Sequence, residues 1–134
     1  MLPFYILGEI FGKGVQDLHY GLNKPSFRIF DVYVGQPEQG RYLSQNELID
    51  FANDEEVMTP LVPVLYVGDY SKEIVDHYTN GTECVSGDLN TNQIREGIVI
   101  KPALERRDEE LGRVILKSVS EDYLLRKGNV TEYN

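Results

Sequence analysis

The sequence is short of cysteine, short of basic residues and free of long apolar runs. Cys84 stands alone, so no disulfide can form within the chain, and no Cys/His spacing fits a zinc site. A reducing compartment follows, with Cys84 structural or incidental. Lys and Arg number 13 against 22 Asp and Glu, a formal charge of −9. That balance excludes gripping nucleic acid by diffuse electrostatics and leaves only local contacts. The opening MLPFYILGEI lacks a positive leader, is broken at Pro3 and reaches Glu9 too soon for a signal peptide or membrane span. The expectation is a cytoplasmic protein with no membrane association. Repeats, low-complexity tracts and linkers are absent as well, so 134 residues with 41% hydrophobic content read as one compact α+β unit.

What is present alternates between short strands and short helices. Phe4–Phe11 is apolar, aromatic and β-branched until Gly12-Lys13-Gly14 breaks it, which predicts a strand. Ser26–Val34 sets Phe27, Ile29, Asp31 and Tyr33 on one face and Arg28, Phe30, Val32 and Val34 on the other, as in a central strand with both faces used. Ser44 and Glu47 form a capping box ahead of Leu48, Phe51 and Ala52, predicting a helix of about three turns. Ser71 caps a second helix that stops at Gly81, and Ser120 caps a third over Glu121–Lys127. Between them, Gly97–Ile100 reads as a short strand pairing antiparallel with Arg113–Lys117 across the charged Glu105–Gly112 segment.

Three charged residues interrupt apolar strands: Glu9 in FYILGEIF, Glu96 in REGIVIKP and Lys117 in RVILKSVS. Charges at such places are costly unless paired or used. The structural reading is a salt-bridged core in which Glu96 and Lys117 neutralise each other. The functional reading comes from the order of four segments.

Gly8–Gln16 (GEIFGKGVQ), Phe27–Val32 (FRIFDV), Arg95–Pro102 (REGIVIKP) and Arg113–Lys117 (RVILK) resemble successive motifs of the RNA ligases in the covalent nucleotidyltransferase superfamily. The likeness is greatest to the nick-sealing and Deinococcus-type enzymes and runs from Tyr5 to about Lys127. It implies an α+β fold, mostly antiparallel sheets with short packing helices, forming the C-terminal portion of an ATP-grasp-like nucleotidyltransferase domain over residues 1–134. It also implies ATP, Mg²⁺ or Mn²⁺ as cofactors and RNA with nicked or broken ends as substrate, in RNA repair.

In that family a lysine in a Lys-x-[Asp/Asn]-Gly motif attacks the α-phosphate of ATP, and AMP passes to an RNA 5′-phosphate before a 3′-hydroxyl displaces it. Carried over, Glu9 is the acid that accepts from the ribose hydroxyls, and Phe30 stacks on adenine, with Phe27 as its rival. Glu96 binds the divalent metal through water, and Lys117 contacts the α-phosphate. Lys101 is the nucleotide-binding lysine that follows the metal motif. Arg106 and Arg107, within ERRDEE, read as neutralised on a solvated turn and stay outside the site.

Two departures stand out. Relatives often carry Lys-x-Lys in the last motif, where this chain has Lys117-Ser118-Val119. More consequentially, no Lys-x-Asp-Gly or Lys-x-Asn-Gly occurs anywhere. The expectation is therefore a truncated chain whose partner is the upstream, nucleophile-bearing half of the same domain. The alternatives are a non-catalytic nucleotide- or RNA-binding remnant, or a nucleotidyltransferase of the DNA ligase or capping type.

Overall fold

A computed structural model describes residues 2–12, 25–86 and 93–127. The chain forms two compact units interleaved in sequence: one takes the residues up to Glu9, Phe27–Val62 and Lys101–Ile115, the other Ile10–Ser26, Pro63–Ile100 and the residues from Leu116. The architecture is mixed α and β, with small antiparallel sheets and three short helices among the described residues.

The first unit is built on β2 (Ser26–Val34), which lies between β1 (Phe4–Phe11) and β3 (Arg41–Tyr42). β2 runs antiparallel to β3, with Tyr33 opposite Tyr42 and Val34 opposite Arg41. Both strands β1 and β2 have the bounds expected from the sequence, because β-branched and aromatic residues fill them and glycines or turns end them. On β2, Ile29 and Val32 are both fully buried. They form a core with Leu48 of α1 (Gln45–Ala52), and Val34, Leu43, Phe51, Val57 and Leu61 pack around them. Burial of each such aliphatic side chain stabilises by about 1.5–3 kcal/mol.

Helix α1 begins where expected but runs eight residues, nearer two turns than three. Asn53 ends it, and the Asp54 carboxylate accepts from the Glu56 amide while the Asp54 carbonyl accepts from Val57 and Met58, so local turns outcompete another helical turn. At its start, Glu47 accepts from the Ser44 amide and is gripped by both terminal nitrogens of Arg41 at 2.8 and 2.7 Å. The Ser44 hydroxyl accepts from the Glu105 amide, tying the 101–105 segment to the head of α1.

The second unit holds α2 (Lys72–Thr79), β4 (Gly97–Ile100), β7 (Leu116–Val119) and α3 (Glu121–Lys127). Ser71 caps α2 by accepting from the Ile74 amide, and Gly81 takes a positive φ just past its end, as the sequence predicts. The pairing of β4 differs from expectation. Its partner is Leu116–Val119, with Gly97 opposite Val119 and Ile100 opposite Leu116, rather than a strand starting at Arg113. Arg113 instead belongs, in the first unit, to a hairpin of β5 (Arg107–Asp108) and β6 (Gly112–Arg113). Asp108 closes that turn by accepting from the Glu110 and Leu111 amides, and Gly112 adopts φ +80. The charged run that read as a plain connection is thus a two-rung hairpin. Among the described residues no helix is long and apolar enough to cross a membrane.

Candidate functional site

The first unit carries Glu9, Phe30 and Lys101. Glu9 is exposed near the end of β1, one residue after Gly8. A side chain at Gly8 would collide with the Phe27 ring and the Arg28 carbonyl, so this glycine lets β1 lie close against the start of β2. The Glu9 carboxylate makes no hydrogen bond or ion pair among the described residues and can accept from two hydroxyls at once. The Phe30 ring is half-buried, on the β2 face opposite Asp31, whereas Phe27 packs over Gly8 and is 39% exposed.

Lys101 is half-buried. Its ammonium donates to the Phe30 carbonyl and to Asp31 Oδ1, each at 3.2 Å. Asp31, with its side chain 4% exposed, also accepts from Arg113 Nη1 at 2.8 Å and Nη2 at 3.0 Å. Arg113 Nε donates to Glu105 at 2.8 and 3.1 Å, and its guanidinium lies 3.6 Å from the centre of the Tyr42 ring. Two acids and two bases make a neutral, nearly dry cluster. Burial works against the Arg113 charge, but the hydrogen bonds and charges of Asp31 and Glu105 outweigh it and hold the guanidinium above its ordinary value. Asp31, Glu105 and Arg113 escaped the sequence reading of the site. The available signal was Asp31 itself, a charge in mid-strand between Ile29 and Val32.

The second unit carries Glu96 and Lys117. Glu96 sits just before β4, its carbonyl accepting from the Ser120 amide at 2.8 Å. Arg95 beside it donates to the Tyr78 and Asn80 carbonyls at the end of α2 and reaches Cys84 Sγ at 3.3 Å, which anchors the approach to β4. Gly97, which follows Glu96, has φ +157, and any side chain there would strike the Ser118 carbonyl. Lys117 lies opposite Val99, so the register does not set it against Glu96 as a salt-bridged pair would need. Its side chain is exposed, with no partner among the described residues. Val119 shares its face opposite Gly97, in the place of the second cation of a Lys-x-Lys pair. Behind β7, the Ser118 hydroxyl hydrogen-bonds Thr79 of α2 at 2.7 Å.

Among the described residues no three His, Cys, Asp or Glu side chains gather as a self-sufficient metal site. A cation held partly through water and phosphate needs fewer protein ligands, which suits the single carboxylate of Glu96. Arg106 and Arg107 are exposed on the hairpin strand and just before it. An open groove of about 420 Å³ between the end of α1 and the Met58–Leu61 segment is lined by none of the expected site residues.

The sequence pattern of the RNA ligase family matches residues 2–119. The chain belongs to the RNA ligase family. Among solved structures, the fold is similar to a lysine-to-alanine variant of the Naegleria gruberi RNA ligase, solved with ATP and manganese. The TM-score is 0.66 at 25% identity, over 95% of this chain and 35% of that one. The chain therefore spans about a third of the length of that ligase. No curated protein matches the sequence.

Proposed function

We propose that these residues are the ribose-, base-, metal- and phosphate-contacting portion of an ATP-dependent RNA ligase, and that the lysine forming the covalent link to AMP is supplied from outside them. The observation that carries this reading is the family match over residues 2–119 in a chain that has no Lys-x-[Asp/Asn]-Gly. The neighbouring ligase solved with ATP and manganese supports ATP and a divalent cation as cofactors.

Each side chain then has a task its placement suits. The exposed Glu9 carboxylate accepts from the ribose hydroxyls, and the Phe30 ring supports adenine. The Lys117 ammonium, unpaired among the described residues, donates to an α-phosphate oxygen and stabilises the charge that builds there as the phosphoryl group transfers. Glu96 holds the divalent cation through water, and the cation, when bound, neutralises phosphate charge. The substrate is RNA with a 5′-phosphate beside a 3′-hydroxyl, and the setting is cytoplasmic repair of broken RNA.

The experiment joins the chain to a lysine-bearing upstream segment and supplies ATP radiolabelled at the α-phosphate with Mg²⁺. Label retained on denatured protein and sealing of nicked RNA are expected, both lost when that lysine becomes alanine. Sealing that survives Glu96→Ala undiminished would remove the metal role. Equilibrium AMP binding with no adduct in the joined protein would identify a silent binding remnant instead.

A further inference from the structure

Asp31 is a carboxylate placed where β2 otherwise buries aliphatic groups, since Ile29, two residues back on the same face, is fully buried. Removing a charge from water costs several kcal/mol unless partners repay it, and an apolar residue of similar volume often serves stability as well or better. Something beyond packing is therefore served by this acid and the two cations it holds.

Lys101 shows what. It alone in the cluster touches both Asp31 and the backbone of β2, at the Phe30 carbonyl. Carbonyls two residues apart on a strand face the same edge. On that edge the Val32 carbonyl accepts from the Leu43 amide, just past the end of β3. The ammonium of Lys101 supplies a donor to the Phe30 carbonyl. The peptide plane joining Phe30 to Asp31 is thus gripped at its oxygen by Lys101, while Lys101 is aimed by Asp31. That plane sets the direction in which the Phe30 ring leaves the opposite face.

Resting on the reading of Phe30 as the adenine support, we propose that Asp31, acting through Lys101, is a positioning residue for the Phe30 ring. The cluster lies on one face of β2 and its effect is exerted on the other. Lys101 accordingly serves the nucleotide through the backbone beneath the base. Arg113 and Glu105 keep Asp31 in place, Arg113 by two hydrogen bonds to it and Glu105 by steadying Arg113.

The test titrates the purified chain with AMP and follows the adenine H2 and H8 protons by NMR, because stacking on an aromatic ring moves them upfield. The proteins compared are the unaltered chain, Phe30→Leu, Asp31→Asn and Lys101→Met. The upfield shift at saturation is expected in the unaltered chain and lost in Phe30→Leu. Asp31→Asn and Lys101→Met are each expected to lose at least about half of that shift and about tenfold in affinity, and the double variant to be no worse than either alone. If Asp31→Asn fails to fold, Lys101→Met carries the decision, since Arg113 still neutralises Asp31 there. A shift lost in Phe30→Leu but kept at full size in Asp31→Asn and Lys101→Met, whatever their melting temperatures, overturns the positioning role alone. No shift in the unaltered chain, or an equal one in Phe30→Leu, overturns the adenine reading and the positioning role with it.

Discussion

In the first unit Lys101 and Arg113 are tied to Asp31 and Glu105, whereas in the second the Lys117 ammonium meets no partner among the described residues. All three cations come from the two motif segments at the end of the chain, and their neighbourhoods separate their uses. A lysine whose hydrogens are directed at a buried carboxylate and a carbonyl is part of the scaffold. An exposed lysine with no partner among the described residues has its donors open, which is what the proposed contact with a phosphate requires. The strand it stands on is rigid for its own reasons: Gly97 allows close approach of β7 to β4, and Thr79 binds Ser118.

The contrast can be broken from either side. The largest effect is expected from Lys117→Met in a lysine-bearing ligase built on this chain. It should lower single-turnover adenylation by about a hundredfold or more while leaving the melting temperature within about a degree. A large loss of stability there would make Lys117 scaffold like Lys101. Next, Asp31→Ala should destabilise the chain by about 3 kcal/mol in urea denaturation, because it strands Lys101 and leaves Arg113 with Glu105 alone. A change below about 0.5 kcal/mol would mean the cluster is solvated and dispensable. Gly97→Ala should cost about 2 kcal/mol, from overpacking against the Ser118 carbonyl together with an unfavourable φ.

Much of this was legible in the sequence, and the failures have physical causes. β1 and β2 were readable to the residue because glycine and turn residues bound them and alternation needs no tertiary information. The start of α1 was readable from Ser44 and Glu47, but its end depended on whether Asn53 and Asp54 would fold back on the backbone, a local competition that helical spacing does not register. The partner of β4 was misjudged by three residues because Val114–Leu116 is a continuous apolar run without alternation, leaving register to be set by Gly97 and by the hairpin that takes Arg113 away. The site motifs were visible as words, yet their division into held and unpartnered cations was not. That division depends on Asp31 and Glu105, which lie 82 and 8 residues from Arg113.

The smallest effect sharpens the comparison with a surface pair. The Arg41 side chain, followed by the Ser44 amide, holds the Glu47 carboxyl at about 2, well below its ordinary value of 4.5. A carboxyl depressed on folding adds stability above its ordinary value and loses it as the pH falls toward the depressed one. Glu47→Gln should therefore lower the melting temperature slightly at pH 7, with the difference from the unaltered chain shrinking between about pH 4.5 and 2. A difference that persisted at pH 2 would show that Glu47 acts by packing.

The interleaved path of the chain has a consequence in time. The first unit draws on residues as late as Ile115 and the second on residues as early as Ile10, so emergence from the ribosome in order completes neither until nearly the whole chain is out. Folding then begins with distant segments still unpaired, the slow regime for a small protein. The same path means that no single peptide cut can release one unit intact from the other.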